Sequence, residues 1–285
     1  MSRPRVYLVN SHRWLFDRLT RDAAESEGFV IVDDKAAADI VIYLDPPWKD
    51  PDAPESLRSL NPRDVAKLYL FSQADDPIPW APGVFTSLPR SSAHGDAFAG
   101  GFFIAHQHEP GGLGDHLVPE SLTDCDLLWS FVGTAENASI RERILGLHDE
   151  RGFTKDTKRW SDVVRWGWQA DHRVEAQENF RAYARTLLRS KFVVCPRGRG
   201  LSSIRLFEAL QVGRCPVVVS DEWLPPRSID WSSCSIRIRE DEVERLPAIL
   251  RSRESEAAAL GGSGGINCEI RTAATLTTWS LTRSS

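Results

Sequence analysis

The residues of this chain best suited to chemistry lie in one short segment, from Arg197 to Glu208, which is rich in glycine, serine and arginine. Ser202 or Ser203 precedes an amphipathic stretch that predicts a helix, and the first backbone N–H groups of a helix have no partner within it. Such a helix start attracts anions, and the forked guanidinium of arginine matches pairs of phosphate oxygens. The candidate phosphate-binding residues are therefore Arg197, Gly198, Ser202, Ser203 and Arg205, with Arg199 beside them.

A carboxylate further along the same predicted helix completes this pattern. Glu208 lies five residues after Ser203, and an ionised carboxylate accepts hydrogen bonds from hydroxyl groups such as those of a ribose diol. Together with the arginines, it predicts a site for a nucleoside diphosphate. A purely structural interpretation stays open, because serine caps and surface arginines are common. The glycines also depart from a dinucleotide fingerprint, since Ser203 stands where the third glycine is expected.

The elements that must position these residues follow a strand, loop, helix, strand order. An apolar run at Phe192–Cys195 precedes the loop, the helix ends at Gly213, and Val217–Val219 forms the next strand. Parallel-sheet proteins use this unit to hold phosphates. In the same half, the pattern predicts strands at 127–132 and 234–238 and helices at 136–151, 175–190 and 240–260, the last broken at Pro247.

The first half of the chain also alternates strands with helices, which predicts a parallel sheet covered on both faces. The predicted strands are 6–9, 29–32, 39–44 and 67–71, with a helix from Asn10 or Ser11 to Glu27. A proline-rich connection at 46–62 and an irregular stretch at 77–114 complete this half. We predict an N-terminal domain at 1–124, a C-terminal domain at 125–260, and an irregular or disordered tail at 261–285.

The composition excludes several classes of protein. A net charge of −5 in 285 residues does not favour nucleic acid or an anionic membrane as a partner. The five cysteines are scattered without a CxxC pair, which argues against a disulfide framework or a zinc site. The sequence contains neither a cleavable signal nor an apolar run of the about 18 residues that a transmembrane helix needs. We therefore expect no transmembrane segment and a cytoplasmic location.

Several motifs in the second half resemble a known family. The segment CPRGRGLSSIRLFEALQVGRCPVVVSDEWLPP, followed by IDWSSCSIRI and LPAIL, is similar to the C-terminal half of exostosin-like glycosyltransferases. The resemblance continues upstream through LLWSFVGTAENASIRERIL and covers about Leu127 to Leu250. It is looser in the first half, where FSQADDPIPWAPGVFTSLPR has only the general character of the family.

This resemblance implies a two-domain α/β fold. Two Rossmann-like halves would face each other across a cleft, in the GT-B arrangement, and the C-terminal half would carry the nucleotide-sugar site. By position, Arg197, Ser202, Ser203, Arg205 and Glu208 match the donor-binding signature of the family. In related two-lobed transferases, a glutamate at the position of Glu208 contacts the ribose.

The activity implied by the resemblance is transfer of a sugar from a uridine-linked donor to a glycan or other hydroxyl acceptor. We expect inversion at the sugar carbon, with no metal and no other cofactor, because a helix start and arginines can stabilise the leaving diphosphate. The better-known animal exostosins carry a membrane anchor that this sequence does not contain. A role in polysaccharide biosynthesis follows from the same resemblance.

The catalytic base is not identified by the sequence. Asp96 and Glu109 are candidates, and Asp115, His94, His106 and His108 lie in the same irregular stretch. The spacing of His106 and His108 is compatible with a metal but lacks a third ligand. Asp124 and Asp126 resemble the acidic pair of the other transferase fold, and we interpret them as a surface turn. A hydrolase serine is excluded, because there is no G-x-S-x-G turn.

Two alternatives remain open from the sequence. A protein of the same fold could bind a nucleotide or glycan without catalysing a reaction, which the unusual tail and the unidentified base leave possible. A Rossmann-type oxidoreductase is the second alternative, against which the missing third glycine and the clustered arginines both argue.

Overall fold

The computed structural model describes residues 3–10, 20, 29–44, 67–77, 79, 81–92, 98–101, 113–118, 121–122, 125–157, 173–227 and 229–262. The described residues fall into two compact units. The first lies within Met1–Ile104 and Glu222–Ile229, and the second within Ala105–Asp221 and Asp230–Asn267. The domain boundaries proposed from the sequence, at 124/125 and 260/261, stay predictions.

The first unit contains a parallel sheet of six strands in the order β2-β1-β3-β4-β5-β6. Apolar side chains alternate between its two faces, so that Leu8 and Ile42 belong to one buried cluster while Val41 and Leu70 belong to another. The predicted two-sided burial is thereby confirmed. The strands are β1 (Arg5–Asn10), β2 (Val30–Ile31), β3 (Ile40–Leu44), β4 (Leu68–Ser72), β5 (Gly83–Phe85) and β6 (Phe98–Gly100).

Two strands of this sheet correct the sequence prediction. The stretch 77–114 was expected to be irregular, yet it supplies β5 and β6, each of which is only three residues long. Strands this short contain too few residues to show an alternating pattern. A later segment, around Trp223, also packs on this unit, where its indole N–H donates to the carbonyl of Thr86 at 2.9 Å.

The second unit contains a parallel sheet of five strands in the order β11-β10-β9-β7-β8. Its strands are β7 (Leu127–Gly133), β8 (Gly152–Asp156), β9 (Ser190–Pro196), β10 (Cys215–Val219) and β11 (Ile236–Arg237). Its helices are α1 (Ser139–Leu145), α2 (Arg173–Leu188), α3 (Ile204–Gln211), α4 (Leu246–Ser252) and α5 (Ala257–Gly261). The three central strands are almost completely buried, which explains their continuous apolar sequences.

Two of the three helices predicted at 136–151, 175–190 and 240–260 are shorter than the sequence predicted, while the second is observed at its full length as α2. The helix expected at 136–151 is only α1, which ends before Gly146, and the chain then forms the edge strand β8. The helix expected at 240–260 is divided into α4, α5 and two 3₁₀ segments. Pro247 lies in the first turn of α4, where a missing N–H costs no hydrogen bond, so it starts a helix instead of breaking one.

These two parallel-sheet units confirm the predicted α/β class with two Rossmann-like halves. Gly213 has φ of 69° and ends α3 as predicted, since glycine enters the left-handed region without steric cost. No helix within the described residues is both long and apolar enough to cross a bilayer.

Candidate functional site

The order of strands in the second unit defines where a ligand is expected. From β7 the chain crosses to β8 on one side, and it then returns to β9 on the other side, so the topology reverses between β7 and β9. In open parallel sheets, ligands bind outside the carboxyl ends of the strands at such a reversal. These ends are Gly133 and Pro196, and the glycine- and arginine-rich segment begins directly after Pro196.

The loop after β9 leads into α3 through two buried serines. The amide of Arg197 donates to the carbonyl of Val219 at 3.0 Å, and that of Gly198 donates to the carbonyl of Gly200 at 3.0 Å. Ser203 is the N-cap residue of α3 with extended backbone angles, as predicted. Its hydroxyl makes no capping hydrogen bond to the described residues of the helix. Ser203 is 8% exposed, and its Oγ has no hydrogen-bond partner among the described residues.

Ser202 lies beside Ser203 and is equally buried. The buried hydroxyl of Ser203, which has no partner among the described residues, costs free energy of about 1–3 kcal/mol. A ligand oxygen at the start of α3 would remove that cost for Ser203. Ser202 and Ser203 directly precede α3, where the sequence predicted a phosphate site, and Gly198 lies earlier in the same loop, near Nη2 of Arg141.

The guanidinium of Arg205 is the buried charge of this site. Arg205 is 8% exposed, and its Nη2 donates to the carbonyl of Val132 at the end of β7. The guanidinium carbon lies 5.0 Å from the centre of the Phe131 ring and 5.9 Å from that of Tyr183, distances at which cations are attracted to aromatic faces. Its Nε is buried and has no acceptor among the described residues.

Arg205 remains charged in this environment. Burial by itself lowers the pKa of Arg205, but interactions with neighbouring groups, among them Tyr183 and Glu208, raise it above its ordinary value. A buried guanidinium with an unused N–H is an anion-binding group, because an anion supplies both the missing acceptor and the opposite charge.

Glu208 of α3 is a buried carboxylate that is hydrogen-bonded to a tyrosine. It is 2% exposed, and its Oε2 accepts a hydrogen bond of 2.5 Å from the hydroxyl of Tyr183 on α2. Burial and the charge of Glu208 raise the pKa of Tyr183 well above its ordinary value, so the tyrosine remains a donor. The contact of Glu208 with a ribose stays a prediction.

Arg197 is engaged in a different network. Its Nε donates to Oε1 of Glu240 at 2.9 Å, and the amide of Glu240 in turn donates to Oδ1 of Asp221 at 3.2 Å. This network links the loops that follow β9 and β10 at the carboxyl edge of the sheet. The side chain of Arg197 therefore supports the loop in this structure, while its backbone lies at the predicted site.

Two features of the site were missed by the sequence interpretation. Arg141 of α1 donates from Nε to the carbonyl of Arg197 at 2.9 Å, and its guanidinium carbon lies 6.0 Å from the Phe131 ring. A Cβ added to Gly133 would lie 2.9 Å from Nη2 of Arg205, and one added to Gly198 would lie 3.0 Å from Nη2 of Arg141. In the sequence, these residues could have been found as a glycine at the end of the strand predicted at 127–132 and an arginine in the helix that follows it.

The remaining candidates do not join this site within the described residues. Asp115 lies in the 3₁₀ helix Leu113–His116, and Asp126 precedes β7 at its amino end, where it accepts from Nε of Arg189 at 2.8 Å. This exposed ion pair lowers the pKa of Asp126. Among the described residues, no three His, Cys, Asp or Glu side chains form a metal-sized cluster. The other candidates from the sequence lie outside the described residues; they are Asp96, Glu109, His94, His106, His108 and Asp124.

Comparison with known proteins places this site within a matched region. Residues 114–253 match the Exostosin GT47 domain. The chain is 40% identical to Exostosin-1 of Drosophila melanogaster over 131 residues, which are 42% of this chain and 16% of that protein. It is 43% identical to the Exostosin-1 homolog of Caenorhabditis elegans over 72 residues, 25% of this chain and 19% of that protein. These matches span less than a fifth of the length of either relative.

Among solved structures, Anabaena Alr3699/HepE in complex with UDP and glucose is similar over 99% of this chain and 100% of that chain. The identity is 9% and the TM-score is 0.45. This likeness is low, and the fold class rests instead on the two parallel sheets described above.

Proposed function

We propose, on the premise that residues 114–253 form an exostosin GT47 domain, that the protein is a glycosyltransferase. It takes a sugar from a nucleotide-sugar donor whose diphosphate lies outside the carboxyl ends of β7 and β9. The observation that carries this proposal is Arg205, a buried cation with an unused N–H at the start of α3.

The chemistry of glycosyl transfer suits this arrangement. As the bond between the sugar carbon and the diphosphate breaks, negative charge builds up on the leaving phosphate oxygen. Donors that are already fixed around that oxygen stabilise the transition state more than the ground state. Arg205, Ser203 and the amino end of α3 supply a cation, a hydroxyl and backbone dipoles without rearrangement.

The finer features of the reaction are part of the same proposal. The donor is uridine-linked, the sugar carbon inverts, and no metal is needed, because the arginine and the helix start supply the positive charge. The acceptor is the hydroxyl of a glycan or a related molecule. Asp96 and Glu109 remain the candidate bases for deprotonating this hydroxyl. Either residue must lie within hydrogen-bonding reach of the hydroxyl to act as the base.

The test of this function combines binding with turnover. Isothermal titration with uridine diphosphate, uridine and inorganic pyrophosphate is expected to show binding by the two diphosphates and weaker binding by uridine. Incubation with uridine-linked sugars and a panel of glycans, in buffer with a chelator, is expected to release uridine diphosphate. Binding without release on every donor and acceptor would favour a non-catalytic binding protein. Release only after addition of manganese or magnesium would contradict the metal-independent mechanism.

A further inference from the structure

Two arginines approach the carboxyl end of β9 from opposite sides. Arg205 lies on the side of β7, where its Nη2 donates to the carbonyl of Val132. Arg197 lies on the other side, because its amide donates to the carbonyl of Val219 at the end of β10. Its Nε donates to Glu240, which begins the 3₁₀ helix after β11. Since β9 lies between β7 and β10, an anion at its carboxyl end can be reached by both arginines.

The ion pair of Arg197 with Glu240 uses only one of the three guanidinium nitrogens. Nε donates to Oε1 of Glu240 at 2.9 Å, while Nη1 and Nη2 of Arg197 make no hydrogen bond to the described residues. The side chain of Arg197 is 29% exposed, so a ligand can reach it. A guanidinium offers its N–H groups in a fork that matches the oxygens of a phosphate. The ion pair therefore fixes this side chain and leaves its terminal donors available.

The carboxylate of Glu240 is itself held in place by the loop that follows β10. Its Oε1 also accepts from the amide of Asp221 at 3.4 Å, and the amide of Glu240 donates to Oδ1 of Asp221 at 3.2 Å. These reciprocal bonds fix the carboxylate at the edge of the sheet in the ligand-free protein. Because a partly exposed ion pair contributes little to stability, the orientation of Arg197 is its more important consequence.

We propose that Glu240 is a positioning residue, which orients Arg197 through Nε so that its terminal nitrogens contact the diphosphate of the donor. The proposal rests on the proposed function for the identity of the anion. An arginine that is ordered before binding loses less conformational entropy when the ligand arrives. The direction of the effect is diagnostic, because a carboxylate that only lies near a phosphate site repels the ligand.

The first test titrates inorganic pyrophosphate into Glu240→Ala. Loss of the orienting acceptor is expected to weaken binding by about threefold to tenfold, although the variant carries one negative charge fewer. Glu240→Gln keeps an acceptor oxygen without the charge, and it is expected to restore most of the affinity. Unchanged or tighter binding by Glu240→Ala would show that Glu240 is only a nearby negative charge, and it would overturn the proposal.

The matched control is Glu244→Ala, which removes a carboxylate from the same 3₁₀ helix. Glu244 accepts from Nε and Nη2 of Arg143 at 2.8 and 2.7 Å and has no contact with Arg197 among the described residues. Its removal is expected not to weaken pyrophosphate binding, and an equal loss in both variants would contradict a specific role of Glu240. With Arg197→Ala already present, Glu240→Ala is expected to cause no further loss; a further loss would also overturn the proposal.

The second test observes the guanidinium of Arg197 by NMR. In the ligand-free protein the ¹⁵N order parameter of its Nε is expected to fall in Glu240→Ala, and an unchanged order parameter would overturn the positioning role, whatever the protein binds. In the unmodified protein, pyrophosphate is expected to shift the Nη resonances of Arg197, and unchanged resonances at saturation would equally overturn it. If the unmodified protein binds neither pyrophosphate nor uridine diphosphate, the proposed function fails. Binding that Glu240→Ala leaves unchanged refutes only the positioning role.

Discussion

Gly133 lies so close to the guanidinium of Arg205 that a methyl group added there is expected to weaken anion binding. In Gly133→Ala, the added Cβ would lie 2.9 Å from Nη2 of Arg205 and 3.0 Å from the Phe131 ring. The ring is buried in the sheet, but the guanidinium is the far end of a flexible side chain. The methyl group therefore displaces Arg205 while leaving its charge in place.

The size of this effect follows from the contacts that the displacement disturbs. An ordinary contact needs about 3.4 Å or more, so Nη2 must move by roughly half an ångström, which degrades the hydrogen bond to the carbonyl of Val132. A charge-assisted hydrogen bond contributes about 1.5–3 kcal/mol. Loss of half of one such bond to phosphate is about 1 kcal/mol, so we expect affinity for pyrophosphate to fall by about fivefold to tenfold.

The assay is titration of pyrophosphate into Gly133→Ala and into the matched control Gly146→Ala. Gly146 follows α1 with φ of −80°, and a Cβ there would meet its nearest neighbour at an ordinary 3.5 Å. Both changes reduce the freedom of the unfolded chain alike, so only the site effect differs. Unchanged affinity in a folded Gly133→Ala protein would refute the conclusion that Arg205 contacts the anion.

Three further predictions follow from the same structure. Arg205→Lys is expected to lower affinity for uridine diphosphate about tenfold or more, since an ammonium group lacks the forked geometry of a guanidinium. Isothermal titration of the folded variant checks this, and an affinity equal to that of the unmodified protein would contradict it. Glu208→Gln is expected to weaken uridine diphosphate more than pyrophosphate if Glu208 contacts the ribose, and equal losses in competition titrations would reject that contact. Hydrogen bonds from Arg151 and Lys191 lower the pKa of Glu254 from 4.5 to about 2, so this carboxylate stabilises the fold fully above about pH 4.5 and loses that effect as the pH falls toward 2. Glu254→Gln is therefore expected to lower the free energy of unfolding by about 1 kcal/mol at pH 7 and by little at pH 2.5; a pH-independent difference between the proteins in urea denaturation would contradict the ion pair.

The sequence by itself determined the elements that position the site. Buried parallel strands have continuous apolar sequences, so β9 and β10 could be located from Phe192–Cys195 and Val217–Val219. The serines before α3 and the glycine after it marked both ends of that helix, because these signals depend on local backbone chemistry. Short strands such as β5 and β6 could not be located, since neighbouring strands stabilise them more than their own residues do.

The partners of the charged side chains were decided only by the tertiary structure. The sequence grouped Arg197 and Arg205 as equal phosphate ligands, but the fold pairs the first with Glu240 and buries the second beside Phe131. Those partners are 43 and 74 residues away in the chain. Local pattern can show that a guanidinium stands at a helix start. Which carboxylate, ring or carbonyl reaches it depends on how strands and helices distant in sequence pack around it.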